Sequence, residues 1–323
     1  MKLLVTGGTG YIGSVVAYQL FGAGHEAVVF DNLSTGSGSA IPEGARLVRG
    51  DLLDVEALRC TLAAGFDGVL HLAALSVVGE SVEHPELYYR TNVCGTLNLL
   101  DAMREAGVRK LVFSSTAAVY GEPEEVPVVE TAPAQPANPY GASKLAADDL
   151  IGYEAAAHGL AATSLRYFNV VGASGRYGAV KRPETQLIPV TLQVAAGRRD
   201  TVEIFGTDYP TPDGTAIRDY IHVEDLGRAH LLALEAAKEG EHKIYNLGNG
   251  AGFSVLEVVE TARRVTGRHI EAVESPRRLG DPSVVVASSE KIRSELGWKP
   301  EKPELETMIS DAWNWLQTYS TGH

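Results

Sequence analysis

Cysteine is nearly absent from this sequence: 323 residues carry two, Cys60 and Cys94. Two cysteines cannot build a disulfide framework or a cysteine-rich metal site. They predict small buried side chains in a reducing, cytoplasmic compartment. Long hydrophobic runs are also missing. No uninterrupted apolar stretch approaches the ~18 residues of a membrane span, and a strand-like run begins at residue 2, where a signal peptide would have its basic and apolar regions. Basic residues are scarce, with 28 Lys and Arg against 41 Asp and Glu and a formal charge of −13. Such an acidic surface repels phosphate backbones and anionic lipid, so neither nucleic acid nor membrane is an expected partner. The nine histidines show no metal-ligand spacing, and no metal is expected. There is no Gly-x-Ser-x-Gly elbow, which argues against a serine hydrolase, and no Gly-Lys-Ser/Thr phosphate loop.

What is present is an ordinary globular balance, 45% hydrophobic and 21% charged, with 34 glycines that follow no period of three. Short apolar runs read as buried strands: Lys2 to Thr6, Ala27 to Phe30, Arg46 to Val48, Val69 to Leu72, Lys110 to Phe113 and Ser164 to Val171. Helix-length segments separate them, at Tyr11 to Gly22, Val55 to Ala64, Pro85 to Ala106 and Tyr140 to His158. This alternation predicts an α/β fold, a Rossmann-type doubly wound parallel sheet with helices on both faces. After about residue 172 the rhythm breaks. Gly172 to Pro183 reads as a loop, and helices return at Val223 to Ala237 and Val255 to Val265, the latter opened by a Ser254/Glu257 capping box. The expected division is a dinucleotide-binding domain over 1–172 and a smaller α/β substrate lobe over 173–323, from which segments such as 215–240 can pack back on the first domain.

The first chemical signal is Thr6-Gly-Gly-Thr-Gly-Tyr-Ile-Gly-Ser14. Gly7, Gly10 and Gly13 follow a strand and open a helix. They permit a tight turn and let a pyrophosphate approach the backbone at the positive end of the helix. An acid, Asp31, follows at the tip of the second strand. It can accept both ribose hydroxyls and repels a 2′-phosphate, so the expected cofactor is NAD rather than NADP. Asp51 ends the third strand and either reaches the adenine or serves as a turn or cap acid.

The second signal is Tyr140-Gly-Ala-Ser-Lys144, which puts a phenol and an ammonium on one helical face. Bringing a tyrosine from ~10 to about 7 takes roughly 4 kcal/mol. A neighbouring ammonium and a positively charged nicotinamide ring are suited to supply it, which would make Tyr140 a general base. The third is Ser114-Ser-Thr116 at the C-terminal end of the fifth strand, where open α/β sheets place ligands. A hydroxyl there can relay a proton between a substrate alcohol and the phenol.

With these motifs the sequence resembles the extended short-chain dehydrogenase/reductase family over nearly its whole length, and looks most like the members that invert C4 of UDP-hexoses. The likeness runs through Gly7 to Ser14, Asp31 to Leu33, His71 to Ser81, Thr91 to Val93, Ser114 to Gly121, Asn138 to Lys144, Leu165 to Asn169, Ile204 to Gly206, Asp208 to Pro210, Arg218 to Val223, Tyr245 to Gly248 and Arg277 to Asp281. The resemblance implies a tightly held NAD, with Tyr140, Lys144 and Thr116 catalytic. It implies cofactor contacts from Gly7, Gly10, Tyr11, Ile12, Gly13, Asp31, Asn32, Asp51, Leu52, Ala73, Tyr140 and Lys144. The UDP-sugar is assigned to Asn92, Thr116, Asn169, Leu187, Phe205, Arg218, Tyr220, Arg278, Asp281 and Val285. The two arginines suit a pyrophosphate. Arg218 could instead pair with Asp219 or Glu224, and Arg278 could be an ordinary surface arginine.

In related dehydratases an acid pair or a glutamate follows the hydroxyl residue. Here Ala117 and Ala118 stand there, and methyl groups move no protons. C4 epimerisation of UDP-glucuronate, or another NAD-dependent change to a UDP-sugar, is the alternative reading. A non-catalytic NAD-sensing scaffold has no use for a tuned phenol. The departures from the family pattern are Ser76, where a cofactor-contacting lysine is usual, Gln186 in place of Asn or His, and a small Val285 where a tyrosine would exclude N-acetylated sugars. Helices 91–106 and 141–158 correspond to those that pair in family homodimers; core-facing helices are the other reading.

Overall fold

The computed structural model describes residues 1–179, 184–278 and 281–319. Seven strands form the main sheet: β1 (Lys2–Thr6), β2 (Glu26–Asp31), β3 (Arg46–Arg49), β4 (Gly68–His71), β5 (Lys110–Thr116), β6 (Ala161–Tyr167) and β7 (His242–Leu247). Their order across the sheet is β3-β2-β1-β4-β5-β6-β7 and every pairing is parallel. The order reverses between β1 and β4, which opens a crevice at the carboxyl ends of the strands. The doubly wound parallel sheet read from the sequence is thus the observed architecture.

Side-chain alternation along each strand feeds two cores. Leu3 and Val5 point to one face, where they meet Val15, Val16 and Leu20 of helix Tyr11–Gly22 and Leu226 and Ala229 of helix Val223–Ala236. Leu4, Val28 and Phe30 point to the other, against Leu58, Leu99, Met103, Ala147 and Ile151. A third core, around Ile188, Val202, Val258, Met308 and Trp313, lies in the second half of the chain. Helices Leu187–Ala195, Val255–Thr266 and Leu305–Tyr319 build it. The second of these opens with both bonds of the Ser254/Glu257 capping box.

Three local expectations are corrected. The run Ser164 to Val171 is two strands: β6 ends at Tyr167, and Asn169–Val171 pairs separately with Tyr220–His222. The long helix expected from Pro85 is three pieces, Pro85–Tyr88, a π-helical turn Tyr89–Cys94, and Gly95–Glu105. Both cysteines are exposed. Leu58, Thr61 and Leu62 take the inner face beside Cys60, and Asn92, Gly95 and Thr96 take it beside Cys94. β7 was not anticipated, and it returns the second half of the chain to the main sheet beside β6. Of the loop read at 172–183, residues 180–183 lie outside the described residues. Among the described residues, no helix is long and apolar enough to cross a membrane.

Candidate active site

The glycine loop is built by contacts that only glycine permits. Gly7 has φ +72°, and a Cβ there would lie 2.6 Å from the Ala73 nitrogen. A Cβ on Gly13 would lie 2.2 Å from the Gly7 carbonyl oxygen. The helix that starts at Tyr11 has Gly10 as N-cap, with no side chain bonding its first turn, so those N–H groups are left for an anion. Asp31 is held by the loop itself: Thr9 N donates to Oδ2 at 3.0 Å and Leu33 N to Oδ1 at 2.8 Å. Each carboxylate oxygen keeps a further lone pair. The Thr9 hydroxyl is buried without a protein partner. A backbone cradle that any Cβ would fill, an uncapped helix start and a preset carboxylate fit a dinucleotide.

The neighbouring positions divide. Asn32 Nδ2 donates to Asp51 Oδ2 at 2.7 Å, and Leu53 N donates to Asp51 Oδ1 at 2.9 Å. These bonds hold the Asp51 carboxylate beside the loop, and the helix cap is Asp54. Leu52 is buried in the second core, and Ala73 packs against it. The Tyr11 hydroxyl donates to the Gly172 carbonyl at 2.7 Å, and Ile12 packs on the first core.

At the end of β5, Ala118 N donates to Thr116 Oγ1 at 3.1 Å. That fixes the oxygen and leaves the hydroxyl proton for Tyr140, to which the Thr116 side chain is hydrogen-bonded. Helix Pro139–His158 presents Tyr140 in its first turn; Asn138 caps it, accepting from Gly141 N at 2.9 Å. Tyr88 meets the Tyr140 ring edge-on, with centroids 6.3 Å apart. Lys144 is buried one turn further on, its ammonium 4.1 Å from the centre of the Phe113 ring. The protein's own groups do not make this phenol acidic, so lowering it falls to a bound nicotinamide ring. Burial raises the Tyr140 phenol above its ordinary value, and the Thr116 bond lowers it partway back. Burial also pulls the Lys144 ammonium down to about 7, with Asp148 holding it up.

Sequence reasoning missed the polar chain beneath this site. Thr96 donates to the Asn92 carbonyl at 2.6 Å, so its oxygen is free to accept from His71 Nε2 at 3.0 Å. His71 Nδ1 then accepts from Thr6 at 2.7 Å, which makes His71 a neutral imidazole with its proton on Nε2. Burial first, and the charge of Lys144 second, hold its pKa down at about 3. Asn92, in the π-helical turn, donates to the Leu75 carbonyl at 3.1 Å and to Ser143 Oγ at 3.0 Å, and accepts from Leu75 N at 2.9 Å. It clamps the loop after β4 to helix Pro139–His158. Of this chain, Asn92 is the residue the sequence marks, as a sugar contact; Thr6, His71 and Thr96 are scattered over separate elements.

Besides Asn92 and Thr116, the residues assigned to the sugar nucleotide come from the strand Asn169–Val171 and the second half of the chain. Arg218 pairs with Asp281, neither with Asp219 nor with Glu224, and its NH1 donates to the Ile217 carbonyl at 2.7 Å. Asp219 is occupied by three backbone N–H groups, of Asn249, Gly250 and Ala287. Arg278 is exposed but stacked, its guanidinium 3.8 Å from the centre of the Phe205 ring. Val285 pairs with Arg218 in a three-stranded sheet and packs on the cluster of Val119, Tyr120 and Phe168. Asn169 donates to the Asp219 carbonyl at 2.8 Å. Tyr220 is buried beside Phe253, and Leu187 opens its helix at the edge of the third core.

A glycine cradle with a ribose-type acid, joined to a Thr–Tyr–Lys set at the end of a parallel strand, defines an NAD-dependent α/β protein of the dehydrogenase type. Residues 3–248 match the NAD dependent epimerase/dehydratase family, and the chain belongs to that family. It is 57% identical to a UDP-glucose 4-epimerase of Streptomyces lividans, over 100% of this chain and 98% of that protein. A crystal structure of UDP-glucose 4-epimerase superposes with a TM-score of 0.96 at 46% identity, covering 100% of this chain and 99% of that one. The Bifidobacterium longum UDP-glucose 4-epimerase, solved in complex with NAD+ and UDP, gives 0.93 at 36% identity and covers all of both chains.

Proposed function

We propose that this protein is a UDP-glucose 4-epimerase, an isomerase that interconverts UDP-galactose and UDP-glucose by removing and returning the hydrogen at C4 of the hexose. The observation that carries this reading is the Thr116 hydroxyl at the carboxyl end of β5, fixed by Ala118 N and bonded to Tyr140, which stands one helical turn before Lys144. The names of its relatives support it.

Gly7, Gly10, Gly13 and the helix start at Tyr11 hold the cofactor pyrophosphate, and Asp31 holds the adenosine ribose. Bound NAD supplies a reversible hydride acceptor and a positive ring charge. Tyr140 takes the C4 hydroxyl proton, with Thr116 relaying it, and gives it back after the hexose has turned over. Lys144 binds the nicotinamide ribose and adds positive potential. Arg218 and Arg278 grip the pyrophosphate, Phe205 packs on the uracil, and Asp281 accepts from the nucleotide. Ala117 and Ala118 leave no acid for elimination, so the keto sugar keeps its hydroxyls.

The dinucleotide part is read as residues 1–172 with 223–247 returned to it, and the sugar-nucleotide part as the remainder of 173–323. We read the protein as a cytoplasmic homodimer. Helices Gly95–Glu105 and Pro139–His158 leave Leu97 and Tyr153 exposed by 40% and 74%, apolar surface suited to a second copy. The test is incubation with UDP-galactose and NAD. Appearance of UDP-glucose without accumulating NADH supports the reading, net NADH indicates an oxidoreductase, and inertness with NAD bound indicates a sensor.

A further inference from the structure

The catalytic helix carries a third inward side chain that this chemistry does not use. Tyr140, Lys144 and Asp148 follow one another at single-turn spacing. Asp148 is buried, and its two oxygens are unequal. Oδ2 accepts from Ser115 Oγ at 2.9 Å and from Arg166 Nε at 3.0 Å, whereas Oδ1 is buried with no hydrogen-bond partner. A carboxylate oxygen left bare in the interior is costly. Its charge is not used up locally.

Besides its ion pair with Arg166, that charge acts on Lys144, one helical turn away, and on His242. Lys144 is buried, and no carboxylate of the described residues lies within ion-pair distance of its ammonium. From β4 it faces neutral His71, and from β5 the Phe113 ring. From β6 comes Arg166, whose NH1 donates to the Tyr120 hydroxyl at 3.1 Å; Tyr120 in turn donates to Asn246 on β7 at 2.7 Å. His242, also on β7, is held below its ordinary value by burial, and its ring shares a 2.8 Å hydrogen bond with Ser164. Asp148 is the carboxylate that bears on Lys144, while Glu130, which accepts from Asn246 N at 2.9 Å, and Asp149 bear on Tyr120 and His242. Around Lys144 itself, two cations and one anion leave a single positive charge in excess.

We propose that Asp148 is a positioning residue for the reaction: its uncommitted oxygen is the countercharge that keeps Lys144 protonated, while Arg166 limits that charge so the cluster stays net positive toward the phenol. The proposal rests on the catalytic roles given above to Tyr140 and Lys144. Lys144 sits at about 7, so near neutrality its charge responds to small changes in its counterion.

The test reads Lys144 directly, by the pH titration of its 13Cε resonance in lysine-labelled protein, assigned by its loss in Lys144→Met. The fall of kcat with rising pH is followed in parallel. Asp148→Asn should move both midpoints down by about one pH unit or more, and Asp148→Glu should restore them. An unmoved or raised midpoint in Asp148→Asn overturns the proposal, because general loosening would expose the lysine and raise it. Should that variant not fold, Arg166→Gln and Arg166→Lys carry the test. The neutral variant should raise the midpoint, and the charged one, which disturbs packing comparably, should leave it in place; equal shifts in both refute the idea. An inert wild type with a normal titration would count against the epimerase reading alone.

Discussion

Gly13→Ala is the sharpest single perturbation of the cofactor cradle. The added methyl would lie 2.2 Å from the Gly7 carbonyl oxygen, 2.8 Å from Gly8 Cα and 2.9 Å from the Gly7 carbonyl carbon. Non-bonded heavy atoms rest at ~3.5 Å, and all three neighbours are backbone, so no side chain can swing aside. The loop must separate from the helix start by roughly 1 Å. That displacement moves the uncapped first-turn N–H groups off any phosphate they hold. Each charge-assisted hydrogen bond is worth about 1.5–3 kcal/mol, so losing one or two weakens NAD binding by roughly ten-fold to more than a thousand-fold. Val15 and Val16 of the same helix pack in the first core, so a thermal melt of the variant accompanies the binding measurement. Calorimetric titration with NAD, and quantitation of NAD released by acid from purified protein, measure the effect. Wild-type affinity in Gly13→Ala would refute the assignment of this loop to the pyrophosphate.

Thr116→Val removes the donor to Tyr140 and should cost about 10²-fold in kcat, while Thr116→Ser retains most activity; equal losses in both would deny the hydroxyl its relay role. Folded His71 titrates near 3 and folded His230 near 4, against ~6.5 for a free imidazole. Between those values the unfolded chain binds protons that the folded chain refuses. Stability is therefore whole above ~6.5 and falls as pH drops toward 3, so the urea midpoint should decrease from pH 7 to pH 5; a flat midpoint contradicts the neutral His71. Val285→Tyr fills the space beside Phe168 and Val119. We expect it to reduce activity on UDP-N-acetylglucosamine by roughly 10- to 200-fold while sparing UDP-glucose, and a wild type that refuses the acetylated sugar removes that premise.

Local rules made much of this molecule readable from its residues. β1, the glycine turn and helix Tyr11–Gly22 fall where the pattern puts them, because a buried apolar run, three glycines and a following amphipathic stretch all agree. The helix read at Tyr140 to His158 is equally legible, and Pro139–His158 is observed. The misses share a cause, which is dependence on distant partners. His242–Leu247 becomes a strand because β6 offers it an edge eighty residues earlier in the chain. The interruption at Tyr89–Cys94 serves to aim Asn92 at Leu75 and Ser143, a purpose invisible in helix propensity. Asp148 sits at a spacing the sequence displays, but its worth depends on Arg166 and Ser115, which other strands supply. Arg218 shows the same limit. Two nearby acids were offered as partners, and the fold chose Asp281.

The late strand β7 has a consequence for how the chain is made. Until residue 247 has emerged, the edge of β6 that will accept it stays open, with its backbone groups bare beside an apolar face. Nascent protein therefore carries an adhesive sheet margin through the synthesis of some eighty further residues. A fragment cut at 172 would keep that margin permanently and should self-associate, so the nucleotide-binding half is not a module that can be lifted out and fused elsewhere.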